Sequence, residues 1–422
     1  MSAIATRDRA VVAACINGAR LWQSLMDLAT IGATPKGGVC RLTLTDLDRQ
    51  ARDRVIGWLR EANCRVEIDG VGNIFAIRDG RDAGAPVVLT GSHIDTQPSG
   101  GKFDGNYGVL AGLEVIRALN DSAIATDKPV GVAIWTNEEG SRFVPVMGGS
   151  GAFAGVFTAD EIRGQRDIDG ISFGDALERI GYNGSAPVGG RPLDAYFEAH
   201  IEQGPILERE GKVIGLVVGA LGLRWYDCLW IGQDAHAGPT PMEARHDALR
   251  GASRMVEAVN EIALRFAPHG RGTVGSMQVK PNSRNVIPGT VSMSVDLRHP
   301  DDAALAAMDT ELRSSARAIA AELRVECDVK QVAQFAACRF DSACVQEVRA
   351  GARGLGYTHQ EIVSGAGHDA IYVARVAPTA MIFIPCKDGI SHNEIEDAKP
   401  EHVEAGANVL LQAVLARAGV VT

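Results

Sequence analysis

The chain has 422 residues, more than one hydrophobic core usually organises, so we expect two domains. Its formal net charge of −10 excludes nucleic acid and anionic membranes as main partners, because both require clustered cations. Hydrophobic residues make up 46% of the chain, but no segment approaches the roughly 20 consecutive apolar residues of a membrane span. The composition predicts a soluble protein whose partner is a small molecule, with no nucleic acid and no membrane involved.

The eight cysteines form no CxxC pair and follow no regular spacing. A structural zinc site or a disulfide framework would show one of these patterns. We interpret all eight as reduced thiols, which favours a cytoplasmic location.

Helical and strand patterns alternate from the beginning of the chain. Amphipathic helices are predicted at 17–26 and 45–62, the second opened by Thr45 as its N-cap. The string VEIDGVGNIFAIRDG then predicts a β-hairpin, because two short alternating runs flank a glycine turn.

Two apolar strands and a helix follow the hairpin. The strand PVVLTGSH ends at His93, and the strand PVGVAIWT lies just before Glu138 and Glu139, with a helix predicted at 108–119 between them. This alternation predicts an α/β fold. Its polar groups follow the carboxyl ends of strands, where open α/β sheets form their binding crevices.

The middle of the chain has a different order of elements. From about residue 222 we predict strand, helix, strand, strand, helix and strand, with the helices at 244–266 and 301–323. This order is typical of the ferredoxin-like split β-α-β unit. We therefore expect a ferredoxin-like α+β domain at 221–338, inserted into a larger α/β domain made of residues 1–220 and 339–422.

Five side chains of the kind that bind divalent metals each lie in a distinctive short string. They are His93 and Asp104 in GSHIDTQPSGGKFDG, Glu139 in WTNEEGSRF, His200 in EAHIEQGP and His392 in GISHNEIE. Zn²⁺ and Mn²⁺ accept neutral imidazoles and carboxylates, and two such ions about 3.5–4 Å apart can share one carboxylate. The set predicts a two-metal hydrolase in which Asp104 is shared. None of the five lies in the inserted domain.

Two further acidic residues accompany these ligands. His93 and Asp95 are two positions apart at a strand end, so they can project to one side and the Asp95 carboxylate can orient the imidazole. Glu138 and Glu139 are adjacent, so strand alternation would point them in different directions. One carboxylate can then bind metal while the other transfers protons.

Two other patterns are interpreted as structural. The run GGSG at 148–151 lacks the Lys and Ser/Thr of a phosphate loop, so helix packing or a tight turn explains it. His368 and Asp369 are adjacent in a glycine loop, where a hydrogen bond that orders the loop is the expected role.

Nine strings occur in a fixed order over nearly the whole chain: GSHIDT, GGKFDGNYGVLAG, TNEEGSRF, EAHIEQGPILE, DAHAGPTPM, SRNVIPG, DLRHPD, SGAGHDA and SHNEIE. In this order they resemble the hydantoinase/carbamoylase branch of the M20-type metallohydrolases. That branch contains N-carbamoyl-L-amino acid hydrolases, β-ureidopropionases and allantoate amidohydrolases. Nine ordered matches are far more specific than any single motif.

The resemblance implies two divalent metal ions per subunit. It assigns His93 and His200 to one ion, Glu139 and His392 to the other, and Asp104 to both. Zinc is expected, and manganese, cobalt and nickel also accept this donor set. The resemblance further implies that Glu138 acts as general base and later as acid, taking a proton from water and returning it to the leaving nitrogen.

The resemblance also implies a set of substrate contacts. Arg298 in DLRHPD is the candidate for a substrate carboxylate, because its guanidinium offers a bidentate fork. His236 and Asn285 are expected to donate hydrogen bonds to the oxygen that gains charge during hydrolysis. Gln203 and Gly367 match family positions that contact substrate, Gly367 through its backbone.

In this family the contacts at His236, Asn285 and Arg298 reach the active site from the neighbouring subunit. The resemblance therefore implies a homodimer whose small domain, 221–338, serves as both lid and dimerisation domain.

The predicted enzyme cleaves the carbamoyl group from an N-carbamoyl amino acid and releases the amino acid, CO₂ and ammonia. The motif DTQP favours substrates like N-carbamoyl-β-alanine. Allantoate or another ureido acid remains an alternative small-molecule substrate, as does the acylated amino acid or peptide of an M20-type aminoacylase or exopeptidase. A binding protein without catalysis would have lost a ligand or the base, and none is lost.

Overall fold

The protein is described by a computed structural model over residues 14–421. The described residues fall into two compact units: those up to Val218 together with those from Phe340 onwards, and Gly219–Arg339. No helix within the described range is long and apolar enough to cross a membrane.

The strands, in chain order, are β1 Arg65–Ile68, β2 Ile74–Arg78, β3 Val87–His93, β4 Val130–Trp135, β5 Leu193–Ile201, β6 Ile214–Ala220, β7 Gly222–Ile231, β8 Ala235–His236, β9 Arg271–Lys280, β10 Val286–Ile287, β11 Thr290–His299, β12 Glu326–Phe335, β13 Cys338–Arg339, β14 His359–Ser364 and β15 Thr379–Ile384.

The helices are α1 Gly18–Ala29, α2 Asp46–Glu61, α3 Asn106–Asp121, α4 Gly148–Phe153, α5 Ala159–Arg163, α6 Phe173–Arg179, α7 Ile206–Arg209, α8 Ala248–Arg265, α9 Asp302–Leu323, α10 Ser342–Gly354, α11 Asp369–Val373 and α12 Pro400–Ala418. Two 3₁₀ turns lie at Met242–Ala244 and Lys387–Gly389.

The first unit contains a mixed sheet with the strand order β1-β2-β4-β3-β5-β15-β6, and β14 pairs with β6. The central strands β4, β3, β5 and β15 are parallel to their neighbours within this group. Every residue of β3, β4 and β15 is buried, which explains their continuous apolar sequences. Because these strands are parallel, their carboxyl ends meet at one edge of the sheet, and β3 ends there at His93.

Several sequence predictions are confirmed in this unit. The strands β1 and β2 form the expected antiparallel hairpin, with Ile68 opposite Ile74. Helix α2 begins after Thr45, whose hydroxyl accepts a hydrogen bond from the N–H of Asp48. The predicted α/β fold is confirmed.

The second unit contains a four-stranded antiparallel sheet in the order β12-β7-β11-β9. Helices α8 and α9 pack on one face of it. Along β7, Tyr226, Cys228 and Trp230 are buried in this core, whereas Trp225 and Leu229 are exposed on the opposite face. Strands β8 and β10 form a separate two-stranded ribbon.

Candidate metal centre and active site

The five predicted ligands lie in the first unit, and their ligand atoms converge on Asp104. One group contains His93, Asp104 and His200, and a second contains Asp104, Glu139 and His392. Within each group all ligand atoms lie within 4.8 Å of one another. Residues that are far apart in sequence therefore form two adjoining donor sets with one shared member.

The two carboxylate oxygens of Asp104 face different donors. Oδ1 is 3.2 Å from Nε2 of His200 and 3.6 Å from Nε2 of His93. Oδ2 is 3.4 Å from Nε2 of His392, which is itself 3.4 Å from Oε2 of Glu139. A carboxylate that is shared between two metal ions needs this separation of its oxygens.

The orientation of two imidazoles is fixed by main-chain carbonyls. Nδ1 of His93 is 2.9 Å from the main-chain oxygen of Asp95, and Nδ1 of His200 is 2.9 Å from that of Ile201. A carbonyl only accepts hydrogen bonds, so in each neutral ring Nδ1 carries the proton. The Nε2 lone pairs then face Asp104, as a metal-binding imidazole requires.

Asp95 lies next to both the His93 ring and the segment after β4. Its carboxylate is 3.7 Å from Nδ1 of His93, and the hydrogen-bond acceptor for that ring is the Asp95 main chain. The carboxylate instead accepts hydrogen bonds from the backbone N–H groups of Glu138, at 3.3 Å, and Glu139, at 3.4 Å. The predicted role of the Asp95 carboxylate in orienting His93 stays a prediction, because the carboxylate lies beside the ring but beyond hydrogen-bond distance.

Electrostatics at the centre follow from burial and mutual hydrogen bonding. Burial alone would raise the pKa of Asp104, but the neighbouring imidazoles of His200, His392 and His93 favour its ionised form and hold this pKa well below its usual range. Burial, reinforced by the negative charge of Asp104, raises the pKa of Glu139 to about 7. The hydrogen bond to Asp104 raises the pKa of His392 to about 8.

Glu138 lies beside the first donor set. Its Oε2 is 3.6 Å from Nε2 of His93, and the residue is 8% exposed. Burial raises the pKa of the Glu138 carboxyl well above its usual range, although the His93 imidazole opposes this shift. A carboxyl group with a raised pKa suits proton transfer near neutral pH.

Three polar residues that the sequence did not single out support the second donor set. Gln97 donates from Nε2 to Oε2 of Glu139 at 2.7 Å. Ser391 Oγ lies 2.8 Å from Oδ2 of Asp104, and Glu396 accepts the backbone N–H of Asp104 at 3.1 Å. All three stand inside the quoted strings, within a few residues of a ligand, which is the only sequence signal that marks them.

Two predicted substrate contacts also lie in the first unit. Gln203 donates from Nε2 to Oδ2 of Asp104 at 2.8 Å, while its Oε1 is buried and has no hydrogen-bond partner within residues 14–421. A Cβ atom on Gly367 would lie 3.3 Å from Cε of Met147. The loop of Gly367 is ordered by Ser364, whose hydroxyl lies 2.8 Å from Nε2 of His368. That hydrogen bond confirms the loop-ordering role expected for His368.

His368 and Glu198 form a buried group behind His200. The His368 ring packs edge-on against the His200 ring, with 4.6 Å between centroids. Glu198 accepts hydrogen bonds from Ser92 Oγ at 2.7 Å and from the N–H of Ala370 at 2.9 Å. Together with His200 they form a third group whose ligand atoms lie within 4.8 Å of one another.

The remaining predicted contacts belong to the second unit. His236 and Asn285 are exposed neighbours on the β8–β10 ribbon, where the N–H of Ala237 donates to the Asn285 carbonyl at 2.9 Å. Nδ1 of His236 accepts a hydrogen bond from the N–H of Gly238 at 3.0 Å, so the proton of the neutral ring is on Nε2. Arg298 pairs with Asp296 at 2.8 Å.

Comparison with known proteins places this centre in a family. Peptidase family M20/M25/M40 matches residues 89–416. An N-carbamoyl-L-amino-acid amidohydrolase from Rhizobium meliloti is 48% identical, covering 96% of this chain and 98% of the relative. An allantoate amidohydrolase from Bacillus subtilis is 33% identical, covering 91% and 93%. A crystal structure of an amidase of the hydantoinase/carbamoylase family from Burkholderia multivorans is 61% identical, with a TM-score of 0.94, covering 96% and 98%. The chain therefore belongs to peptidase family M20/M25/M40, in its hydantoinase/carbamoylase branch.

Proposed function

We propose that the protein is a metal-dependent amidohydrolase that removes the carbamoyl group from N-carbamoyl-L-amino acids, releasing the amino acid, CO₂ and ammonia. The observation that carries this proposal is the placement of two donor sets on the two oxygens of Asp104. The name of the Rhizobium meliloti relative, at 48% identity over 96% of the chain, supports the substrate class.

The donor chemistry fits two divalent ions. In this proposal His93, His200 and Oδ1 of Asp104 would hold one ion, and Glu139, His392 and Oδ2 of Asp104 would hold the other. Zinc is the expected metal, and manganese, cobalt and nickel accept the same donors. When bound, such ions supply a Lewis acid for the substrate carbonyl and lower the pKa of a nearby water.

Glu138 is proposed as the group that moves protons. It takes a proton from the attacking water and returns it to the leaving nitrogen, which requires a carboxyl group able to gain and lose a proton near neutral pH. Its raised pKa and its place beside His93, rather than between two metal donors, support this role.

Substrate recognition is assigned to five residues. The buried Oε1 of Gln203 can accept an N–H of the carbamoyl group, and the backbone at Gly367 contacts the substrate. His236 and Asn285 donate to the oxygen that gains charge, and the Nε2–H tautomer of His236 supports this. Arg298 binds the substrate carboxylate with a guanidinium that Asp296 orients. The family resemblance assigns His236, Asn285 and Arg298 to the same site.

We further propose that Gly219–Arg339, close to the predicted 221–338, is an inserted ferredoxin-like domain that acts as lid and dimerisation domain. Its sheet order supports the fold, because numbering its four long strands along the chain gives the order 4-1-3-2. The edge strands β9 and β12, each ten residues long, and the exposed Trp225 and Leu229 support a contact with a second copy. Size-exclusion chromatography with light scattering tests the homodimer.

The cytoplasmic location stays a prediction. All eight cysteines lie within the described residues, and none of them forms a disulfide. Reduced thiols agree with a reducing compartment.

A substrate panel tests the proposed reaction. We would compare kcat/KM for N-carbamoyl-L-amino acids, their D-enantiomers, N-carbamoyl-β-alanine, allantoate and N-acetyl-L-amino acids, measuring ammonia and free amino acid. The proposal expects the N-carbamoyl-L-amino acids to be turned over fastest. A preference for allantoate would instead indicate an allantoate amidohydrolase, the second candidate, which the name of the Bacillus subtilis relative supports. A preference for N-acetyl substrates would indicate an aminoacylase.

A further inference from the structure

The two donor sets are supported in different ways. His93 and His200 are 2% and 1% exposed, and main-chain carbonyls hold their rings. The His392 side chain is 51% exposed, and its backbone has a φ of 54°, in the left-handed region. That conformation is strained for a non-glycine residue. The position of His392 must therefore be maintained by its neighbours.

Glu396 is the neighbour that connects His392 to Asp104. Its carboxylate is buried, and Oε1 accepts the backbone N–H groups of Phe103 at 3.0 Å and Asp104 at 3.1 Å. Its other oxygen, Oε2, lies 2.9 Å from the hydroxyl of Ser391, the residue just before His392. One side chain thus ties the turn of the shared ligand to the loop of the exposed ligand.

Gly101 shows how closely these two segments approach. A Cβ atom at Gly101 would overlap the carboxyl group of Glu396. The turn before Asp104 can therefore lie against Glu396 only because residue 101 has no side chain.

Ser391 adds a second link between the same segments. Its Oγ lies 2.8 Å from Oδ2 of Asp104 as well as 2.9 Å from Oε2 of Glu396. A hydroxyl has one proton, so it donates to one of these carboxylates at a time. Ser391 and Glu396 therefore flank His392 on both sides, and both bond to the residue that carries the shared carboxylate.

We propose that Glu396 is a positioning residue that sets the affinity of the metal site formed by Glu139, His392 and Oδ2 of Asp104. The inference rests on the proposed function, because it requires that these residues bind a metal. Within residues 14–421, the side-chain hydrogen bonds of Glu396 go to the backbone of Phe103 and Asp104 and to the hydroxyl of Ser391, and not to a ligand atom of either donor set. Glu396 acts by holding the loop of the exposed His392 against the Asp104 turn, whereas Oδ1 of Asp104 also lies beside the buried rings of His93 and His200.

The first test measures metal binding directly. Metal-stripped wild-type chain and Glu396→Ala would be titrated with Zn²⁺ by calorimetry. We expect two ions per wild-type chain, and in Glu396→Ala a loss of about 10–100-fold in affinity for one ion, the usual effect of removing a group that orients a ligand. The other ion should change by less than about threefold. Unchanged binding of both ions in Glu396→Ala would overturn the inference.

Two further variants separate positioning from general stability. Glu396→Gln keeps an oxygen for the two N–H groups and should bind both ions nearly as wild type does. Glu114→Ala removes another fully buried carboxylate that connects distant segments of the chain. Glu114 bonds to Arg20 and to the N–H of Asn17, neither of which belongs to a donor set. It should lose stability without weakening one ion selectively. If Glu396→Ala and Glu114→Ala both lost affinity for the two ions equally, Glu396 would have only a structural role.

A double variant assigns the effect to a site. If Glu396 acts through the His392 site, adding Glu396→Ala to His392→Ala should change the affinity of the remaining ion by less than about threefold, since coupled residues do not add their effects. A further tenfold loss would place its influence on the other ion and contradict the proposal.

Hydrogen exchange tests the inference apart from the proposed function. In the metal-free chain, the amides of Phe103 and Asp104 should exchange faster in Glu396→Ala than in wild type or Glu396→Gln. Should wild type bind no metal, the proposed function fails, while the exchange rates still report whether Glu396 holds the turn. Unchanged exchange overturns the inference whatever the metal content.

If circular dichroism shows that Glu396→Ala is unfolded, Glu396→Asp replaces it, because the shorter side chain cannot reach both Ser391 and the two N–H groups.

Discussion

Two adjacent carboxylates after β4 have different surroundings. Oε2 of Glu139 lies near His392 and accepts a hydrogen bond from the Gln97 amide, whereas Oε2 of Glu138 lies 3.6 Å from Nε2 of His93 in the first donor set. The backbone N–H groups of both residues are held by the carboxylate of Asp95. This arrangement separates a metal donor from a group that can exchange protons.

Glu138→Gln tests that division. The amide cannot accept the proton of the attacking water, so we expect kcat to fall by at least about 10²-fold while the metal content stays near that of wild type. Metal analysis of the purified variant, together with its kcat, measures both effects. Glu139→Gln is the matched control and should lose one ion. Metal loss in Glu138→Gln instead would exchange the two roles.

Asp104 is expected to differ from every other ligand. Asp104→Ala should weaken both ions, because each donor set uses one of its oxygens. His392→Ala and His200→Ala should each weaken mainly one. Calorimetric titration of the three metal-stripped variants measures this difference. Wild-type occupancy of both sites in Asp104→Ala would remove the shared carboxylate from the proposal.

The sequence predicted the metal ligands better than the residues that hold those ligands in place. His93, Asp104 and His392 stand in recognisable strings, and the structure brings their side chains together. Glu396 and Gln97 look like ordinary polar loop residues, since their roles arise from contacts between segments that are remote in sequence. Asp95 shows the same limit, because its partner depends on where β3 ends.

At the level of elements, the short helix α4 is fitted closely to the end of β4. The N–H of Gly149 donates to the Thr136 carbonyl at 2.8 Å, and the N–H of Met147 donates to the Glu138 carbonyl at 2.7 Å. A Cβ atom on Gly149 would overlap Oδ1 of Asn73 and lie 2.6 Å from the Thr136 oxygen. The glycine run therefore serves helix packing, as its sequence suggested.

Gly149→Ala should destabilise the protein by about 1–3 kcal/mol, because the added methyl group has no space. It should also lower kcat, since the strain falls on the segment that precedes Glu138. Chemical denaturation and steady-state kinetics measure the two effects. Gly57→Ala in α2 is the matched control, because a Cβ atom there meets nothing within 4 Å. Equal stability of the two variants would show that α4 can shift away from β4.

The beginning of a helix was predicted correctly where its N-cap residue was recognised in the sequence. Thr45 marked the beginning of α2, and the structure agrees within one residue. The predicted helix 244–266 begins instead at Ala248, because Asp247 caps it by accepting the N–H groups of Leu249 and Arg250. The residues before that cap form a 3₁₀ turn, which hydrophobic periodicity does not distinguish from an α-helix.

At the scale of the whole molecule, the residues that the family resemblance assigns to the active site are divided between the two units. The donor sets and Glu138 are in the first unit, and His236, Asn285 and Arg298 are in the second. The resemblance implies that these three residues serve the neighbouring subunit's site. Functional complementation tests that arrangement without a structure of the dimer.

Arg298→Ala alone should lose about 2–5 kcal/mol of transition-state stabilisation, because the substrate carboxylate loses its partner. Mixing Arg298→Ala chains with Glu138→Gln chains should restore activity, since one site of each hybrid dimer has both groups intact. The control mixes Arg298→Ala with a chain carrying both substitutions, which should stay inactive. No recovery despite proven subunit exchange would place Arg298 outside the partner's site.

The link between Asp104 and Glu396 spans 292 positions of the chain. A growing polypeptide that has reached Asp104 and His200 can present only the first donor set, because His392 follows His200 by 192 positions and Glu396 comes after it. Metal that enters the second set would act as a cross-link between the early and late parts of the chain. Maturation of the enzyme is therefore expected only after the segment of His392 and Glu396 has been synthesised and has folded against the turn of Asp104.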